Sequence, residues 1–189
     1  MPSQKLTAKQ QRLKAEIEEI AAFVQMDHWN ILDYEEDGRT THLEMMKTQL
    51  VRGDIVTKYT LIDEFLAVDI CHYYFRRPQK GFSFRGQWRT QKFKVFNHYI
   101  LDEIFLMKKM AIAHAIKEIP APIRGAIARI NDVRNALSHS FFPENRRQYA
   151  EQKKVMYQGL SIITLAGMQK FAADFTAVKE YFWRRLEWD

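Results

Sequence analysis

The 189-residue sequence predicts an all-α protein: a helical bundle of about five helices, with a long basic loop between the second and third and a short extended segment before the last. Three observations predict it. Glycine and proline are scarce, at seven and five residues, so few positions interrupt a regular backbone. Apolar residues recur at three- and four-residue steps along most of the chain, the spacing of one helix face. At 47% hydrophobic and 28% charged, the chain has enough apolar surface for one globular core.

The elements follow in order. Thr7 to Gln10 has the form of a capping box, and a charged helical stretch continues to about Met26. Asp33 to Thr40 reads as an acidic turn with Gly38 as its breaker. Residues 1–40 are thus an N-terminal helix and turn, residues 41–182 the core bundle, and 1–189 a single domain. From His42 to Phe75 the second helix carries Leu43, Met46, Leu50, Ile62, Leu66, Ile70 and Tyr73 on its apolar steps, with Gly53 as a weak point. The third runs from about Lys92 to Lys117, with Phe96, Ile100, Ile104, Met107 and Ala111 along one side, and Pro120 ends it. Pro122 suits the first turn of the fourth helix, Ala121 to Ser138, which buries Ile123, Ile127, Ile130, Val133 and Leu137. The segment from Val155 to Arg185 reads as an extended stretch feeding a last helix. In the C-terminal tail, Phe182, Trp183, Leu186 and Trp188 suit core packing better than a partner groove.

Composition narrows function. Cys71 is the single cysteine, so no internal disulfide and no thiolate metal cage can form, and a reducing, cytoplasmic setting fits best. The first twenty residues lack the apolar core of a signal peptide, and the apolar runs fall far short of a bilayer crossing, so no membrane association is expected. The six histidines show no paired ligand spacing, so neither a metal nor another cofactor is expected. No phosphate-cradling glycine loop or Gly-x-Ser-x-Gly elbow is present. A net charge of +6 favours acidic partners, nucleic acid first.

Two stretches carry chemistry. The fourth helix ends in INDVRNALSH, Ile130 to His139, which gathers Arg134, Asn135 and His139. Asn135 and His139 stand four apart and share a helix face. Arg134 and His139 stand five apart, about 140° around the axis. They converge only if the arginine curls across, if the helix frays near Ser138, or if a second copy supplies the missing half. Histidine can take a proton from a 2′-hydroxyl or give one to a leaving 5′-oxygen, and arginine matches phosphate oxygens. The structural alternative is a bundle-holding pair of Arg134 with Asp63, Glu64 or Asp69, with His139 capping a helix end. The second stretch, Tyr73 to Phe96, has seven basic residues, no acidic ones and eight aromatics. Arg76, Arg77, Lys80, Arg85, Arg89, Lys92 and Lys94 suit phosphates, and Phe82, Phe84 and Trp88 suit unpaired bases. Its alternatives are a solvated connector or a dimer interface.

The Arg134–Asn135–Ala136–Leu137–Ser138–His139 run resembles the R-x(4–6)-H signature of the HEPN superfamily in its four-residue form, with Asn135 as the polar neighbour that family often uses. The resemblance covers about Leu43 to Phe182. It implies a helical-bundle homodimer whose two motifs face a shared cleft, and a metal-independent endoribonuclease in many members or a non-catalytic RNA- or nucleotide-binding module in others. It also implies Arg134 as the phosphate contact, Asn135 as the polar helper and His139 as the catalytic histidine. Members restrained by a partner nucleotidyltransferase commonly carry a tyrosine two positions after the histidine. Phe141 stands there, with no hydroxyl to modify, although an inhibitory protein partner of another kind fits the toxin and defence systems in which such chains occur. A helical interaction protein that keeps the motif only for packing is the remaining expectation.

Overall fold

The structure is a computed structural model that describes residues 8, 9, 11, 12, 15, 19, 20, 22, 38–75, 90–138 and 155–187. It divides into two compact units, Met1–Leu50 and Val51–Asp189. In the first unit, every described position between 8 and 22 is helical, within the span of the predicted N-terminal helix. The described residues form five α-helices, one π-helical turn and one two-stranded hairpin, so the all-α bundle is the observed fold class.

Helix α1, Gly38–Phe75, is continuous. Gly38 starts it rather than closing a turn before it, and Gly53 neither splits nor ends it. Glycine costs a helix only about 1 kcal/mol relative to alanine, little beside the burial that follows. From Val51 onward the inward residues are Val51, Ile55, Ile62, Phe65, Leu66 and Ile70, all buried. Leu50 and Tyr73, expected on that face, are 72% and 61% exposed.

The predicted third helix is three pieces, which corrects the expectation of one helix from Lys92 to Lys117. Thr90 caps α2, Gln91–Phe96, accepting a hydrogen bond from the Phe93 amide at 3.3 Å. A π-helical turn, Asn97–Leu101, follows, closed by the Asp102 amide donating to the Asn97 carbonyl at 2.9 Å. Helix α3, Leu106–Ile116, then starts afresh. The inward residues Phe93, Asn97 and Leu101 stand four apart, and the step of five to Leu106 falls across residues 102–105, which are not helical. The break after Leu101 takes up the extra residue and lets α3 turn its own apolar side inward. Ile100, placed inside by simple periodicity, is therefore 46% exposed, and Ala111 is exposed while Ala113 is buried.

Helix α4, Ala121–Ser138, has the predicted limits and buries Ala126, Ile127, Ile130, Val133, Ala136 and Leu137. The extended segment is a hairpin of β1, Met156–Tyr157, and β2, Leu160–Ser161, antiparallel, with Tyr157 opposite Leu160. Its turn, Gln158–Gly159, has φ of 47° and 80°, positive at both central positions as a type I′ turn requires. Thr164 then caps α5, Leu165–Glu187, by accepting from the Gly167 amide at 3.2 Å. The hairpin lies against the start of α5: a Cβ on Gly167 would stand 2.2 Å from the Ser161 carbonyl oxygen.

The core of the second unit joins α1, α3, α4 and α5. Phe65 stacks on Phe182 at 6.1 Å between ring centres, and Phe171, Val178 and Leu186 continue the buried face of α5. Two buried cations are tied to α1, Lys109 to Asp63 at 2.7 Å and Arg185 to Asp69 at 2.6 Å. No helix among the described residues is long and apolar enough to cross a membrane.

Candidate functional site

Arg134 and Asn135 sit on the penultimate turn of α4 and are both half-buried. Their neighbours Val133, Ala136 and Leu137 are buried, and that packing sets the rotation of the helix and fixes where the two polar side chains emerge. The Arg134 guanidinium lies over the ring of Tyr59 on α1, 4.6 Å from its centre. One terminal nitrogen of Arg134 donates to the Asn135 side-chain oxygen at 3.1 Å. The Nε–H is buried and has no hydrogen-bond partner.

The carboxylates that sequence reasoning offered to Arg134 are engaged elsewhere. Asp63 binds Lys109, and Asp69 binds Arg185 through both carboxylate oxygens, at 2.8 and 2.6 Å. Burial pushes the Glu64 carboxyl up first, the Asp63 charge adds to that, and Lys109 opposes it. Among the described residues no carboxylate forms an ion pair with Arg134. The bundle-holding role expected for it belongs to Lys109 and Arg185.

Arg129, five residues earlier on α4, shows the contrasting arrangement. Its Nε donates to Asp174 Oδ2 at 2.8 Å, and the same oxygen accepts from the Tyr157 hydroxyl at 2.6 Å and the Gln158 amide at 2.8 Å. This hub fastens the hairpin to α4 and α5, and it consumes the charge of Arg129. Burial and the Asp174 carboxylate together hold the Tyr157 hydroxyl far above its ordinary range, firmly protonated.

Arg134 keeps its charge available. A cation on a ring face gains about 0.5–2 kcal/mol without being neutralised. Tyr59 and Asn135 therefore orient the guanidinium and leave donors for an oxyanion, which is the geometry a planar fork needs to bind phosphate. Tyr59 is itself held protonated: burial raises its hydroxyl first, Arg134 pulls it down, and Asp63 raises it again.

Sequence reasoning missed Tyr59. It lies in TKYTLIDEF with no motif around it, and only the crossing of α1 with α4 joins it to residue 134. Of the residues predicted to act, the structure brings Arg134 and Asn135 together. His139, and Arg76, Arg77, Lys80, Arg85, Trp88 and Arg89 of the basic stretch, lie outside the described residues. No family model, characterised protein or solved structure matches this chain at a significant level.

Proposed function

We propose that this chain is a metal-independent endoribonuclease of HEPN type, acting in the cytoplasm on RNA bound in a cleft between two copies. One observation supports the reading above others: Arg134 is oriented by a tyrosine ring and an amide and is neutralised by no described carboxylate. A half-buried cation kept in that state is an anion site.

In this reading His139 takes the proton from a ribose 2′-hydroxyl, whose oxygen attacks the adjacent phosphorus. The 5′-oxygen leaves and takes a proton from the imidazolium of the second copy, giving a 2′,3′-cyclic phosphate and a 5′-hydroxyl end. Arg134 stabilises the charge gathering on the non-bridging oxygens of the phosphorane. Because the Asn135 oxygen accepts from Arg134, its NH₂ group remains to donate to phosphate, and Asn135 serves the arginine as much as the histidine.

The test incubates purified protein with mixed single-stranded and transfer RNA in EDTA, beside Arg134→Ala and His139→Ala. Cleavage that leaves cyclic-phosphate ends and is lost in both variants supports the proposal. 5′-phosphate ends, or an absolute need for magnesium, overturn it. RNA binding without turnover, weakened by Arg134→Ala, would instead make the same cleft a binding module.

A further inference from the structure

We propose that the aromatic residues where α1 meets α2 form a stacking platform for the unpaired bases of single-stranded RNA. The inference rests on the RNA part of the reading above and is independent of cleavage. Tyr73 and Tyr74, on the last turn of α1, are 61% and 58% exposed. Two adjacent tyrosines on a helix with more than half of each exposed add little burial to the fold. Yet they are held: Tyr73 meets Tyr74 edge-on at 5.1 Å, and Tyr74 meets Phe96 at 5.5 Å. Phe96 meets Phe75 at 5.2 Å, and Phe75 meets Phe93 at 5.8 Å. Phe93 is buried, at 4% exposure, so the row of rings is rooted in the core and rises to the surface at its tyrosine end.

Rings fixed before binding lose little side-chain entropy when a base stacks on them, and stacking tolerates any base because each has a π-face. The charge around them selects a polyanion. Lys92 and Lys94 are exposed on α2, and the Lys92 ammonium lies 6.0 Å from the centre of the Phe75 ring. Lys92 and Lys94 are the only charged residues of α2, and both are basic. The C-terminal end of α1 carries partial negative charge, so the phosphates run beside Lys92 and Lys94 while the bases take the tyrosines. An apolar protein partner would not call for that excess of cations. A duplex hides its base faces and has no use for the rings.

The experiment is fluorescence anisotropy of the full chain with a labelled oligouridine of about ten nucleotides, a length within the usual span of one such site. Tyr73→Ala/Tyr74→Ala should raise Kd about ten- to a hundredfold. Tyr73→Phe/Tyr74→Phe, which keeps both faces, should stay within about twofold. Both double variants should melt with the wild type, since the substituted rings are exposed. Lys92→Gln/Lys94→Gln should weaken binding and flatten its salt dependence. The fold-change in Kd caused by Tyr73→Ala/Tyr74→Ala should be the same in the wild-type and Arg134→Ala backgrounds, since the two sites share no partner. Additive effects separate the platform from Arg134, and a platform that binds RNA without any cleavage survives the failure of the nuclease reading. Unchanged affinity in the alanine double variant overturns the platform, as does equal weakening by phenylalanine and alanine. A change in sedimentation-measured self-association with no change in oligouridine Kd also overturns it, and assigns the rings to a second copy of the chain.

Discussion

Replacing Arg185 with methionine removes the most completely satisfied side chain described in the second unit. All five of its N–H donors are used. Nε and one terminal nitrogen grip the two Asp69 oxygens at 2.8 and 2.6 Å, and the same terminal nitrogen reaches the Ala113 carbonyl at 2.9 Å. The other terminal nitrogen donates to the Lys117 carbonyl at 2.8 Å and to the Tyr181 hydroxyl at 2.9 Å. The Arg185 and Asp69 side chains are 3% and 10% exposed, so the methionine variant takes the guanidinium away from a buried carboxylate. Removing one partner of a buried pair costs about 3–5 kcal/mol. Such a loss is a large share of a typical total stability of about 5–15 kcal/mol. In Asp69→Leu/Arg185→Met the uncompensated charge is gone, and the Ala113 carbonyl still accepts from the Lys117 amide at 3.1 Å, so what is lost is a few neutral hydrogen bonds at about 1 kcal/mol each. The double variant should therefore be more stable than Arg185→Met alone, with a net loss of about 2 kcal/mol. Urea unfolding followed by tryptophan fluorescence measures all three chains. A loss below about 1 kcal/mol in Arg185→Met, or a double variant no more stable than that single one, would refute this account of how α1, α3 and α5 are joined.

Two glycines should respond oppositely to alanine. Gly167→Ala drives a methyl into the backbone of Ser161, 2.2 Å from its oxygen and 2.8 Å from its carbon, and should cost about 1–3 kcal/mol as the hairpin is displaced. Gly53→Ala meets nothing within 4 Å in a helix interior and should stabilise by about 0.5–1 kcal/mol, with thermal melts deciding both signs. The raised Glu64 carboxyl means the folded chain holds that proton more tightly than the unfolded one, so its contribution to stability falls as pH rises through the window above the ordinary carboxylate value. Glu64→Gln should accordingly raise the melting temperature near neutral pH, and the gain should vanish below about pH 4. Burial pushes the Cys71 thiol up to about 12, so at pH 8 alkylation should proceed only as fast as the protein opens, rising with urea in step with unfolding.

How much of this was legible in the sequence depends on the reach of the interaction. The limits of α4 were written locally, in Pro120 and Pro122 before it and in apolar steps that packing simply keeps. The break between α2 and α3 was not. Periodicity from Phe96 to Ala111 continues unbroken on paper, whereas the folded chain buries Asn97 and Leu101 in place of Ile100 and leaves the helix at residues 102–105 before Leu106. Arg134 and Asn135 were legible because their order along one helix is itself the signal. Their third neighbour was not, because Tyr59 lies 75 residues away and its pairing depends on how α1 crosses α4.

Carboxylate choice is the deeper case of the same difficulty. α1 offers Asp63, Glu64 and Asp69 within seven positions, and Lys109, Arg134 and Arg185 all compete for them from other helices. Nothing in a linear chain ranks those pairings. The fold ranks them by depth: Lys109 and Arg185, 4% and 3% exposed, hold the carboxylates because a bare cation there would be most costly. Asp174 takes Arg129 together with the hairpin. Arg134, half-buried on α4, is left with a ring and an amide, partners that hold its direction without cancelling its charge. Because the guanidinium forms no ion pair with a described carboxylate, an anion bound to its terminal nitrogens should stabilise the fold as well as serve the chemistry. The feature that makes Arg134 a poor structural residue is thus the one that makes it a good binding residue.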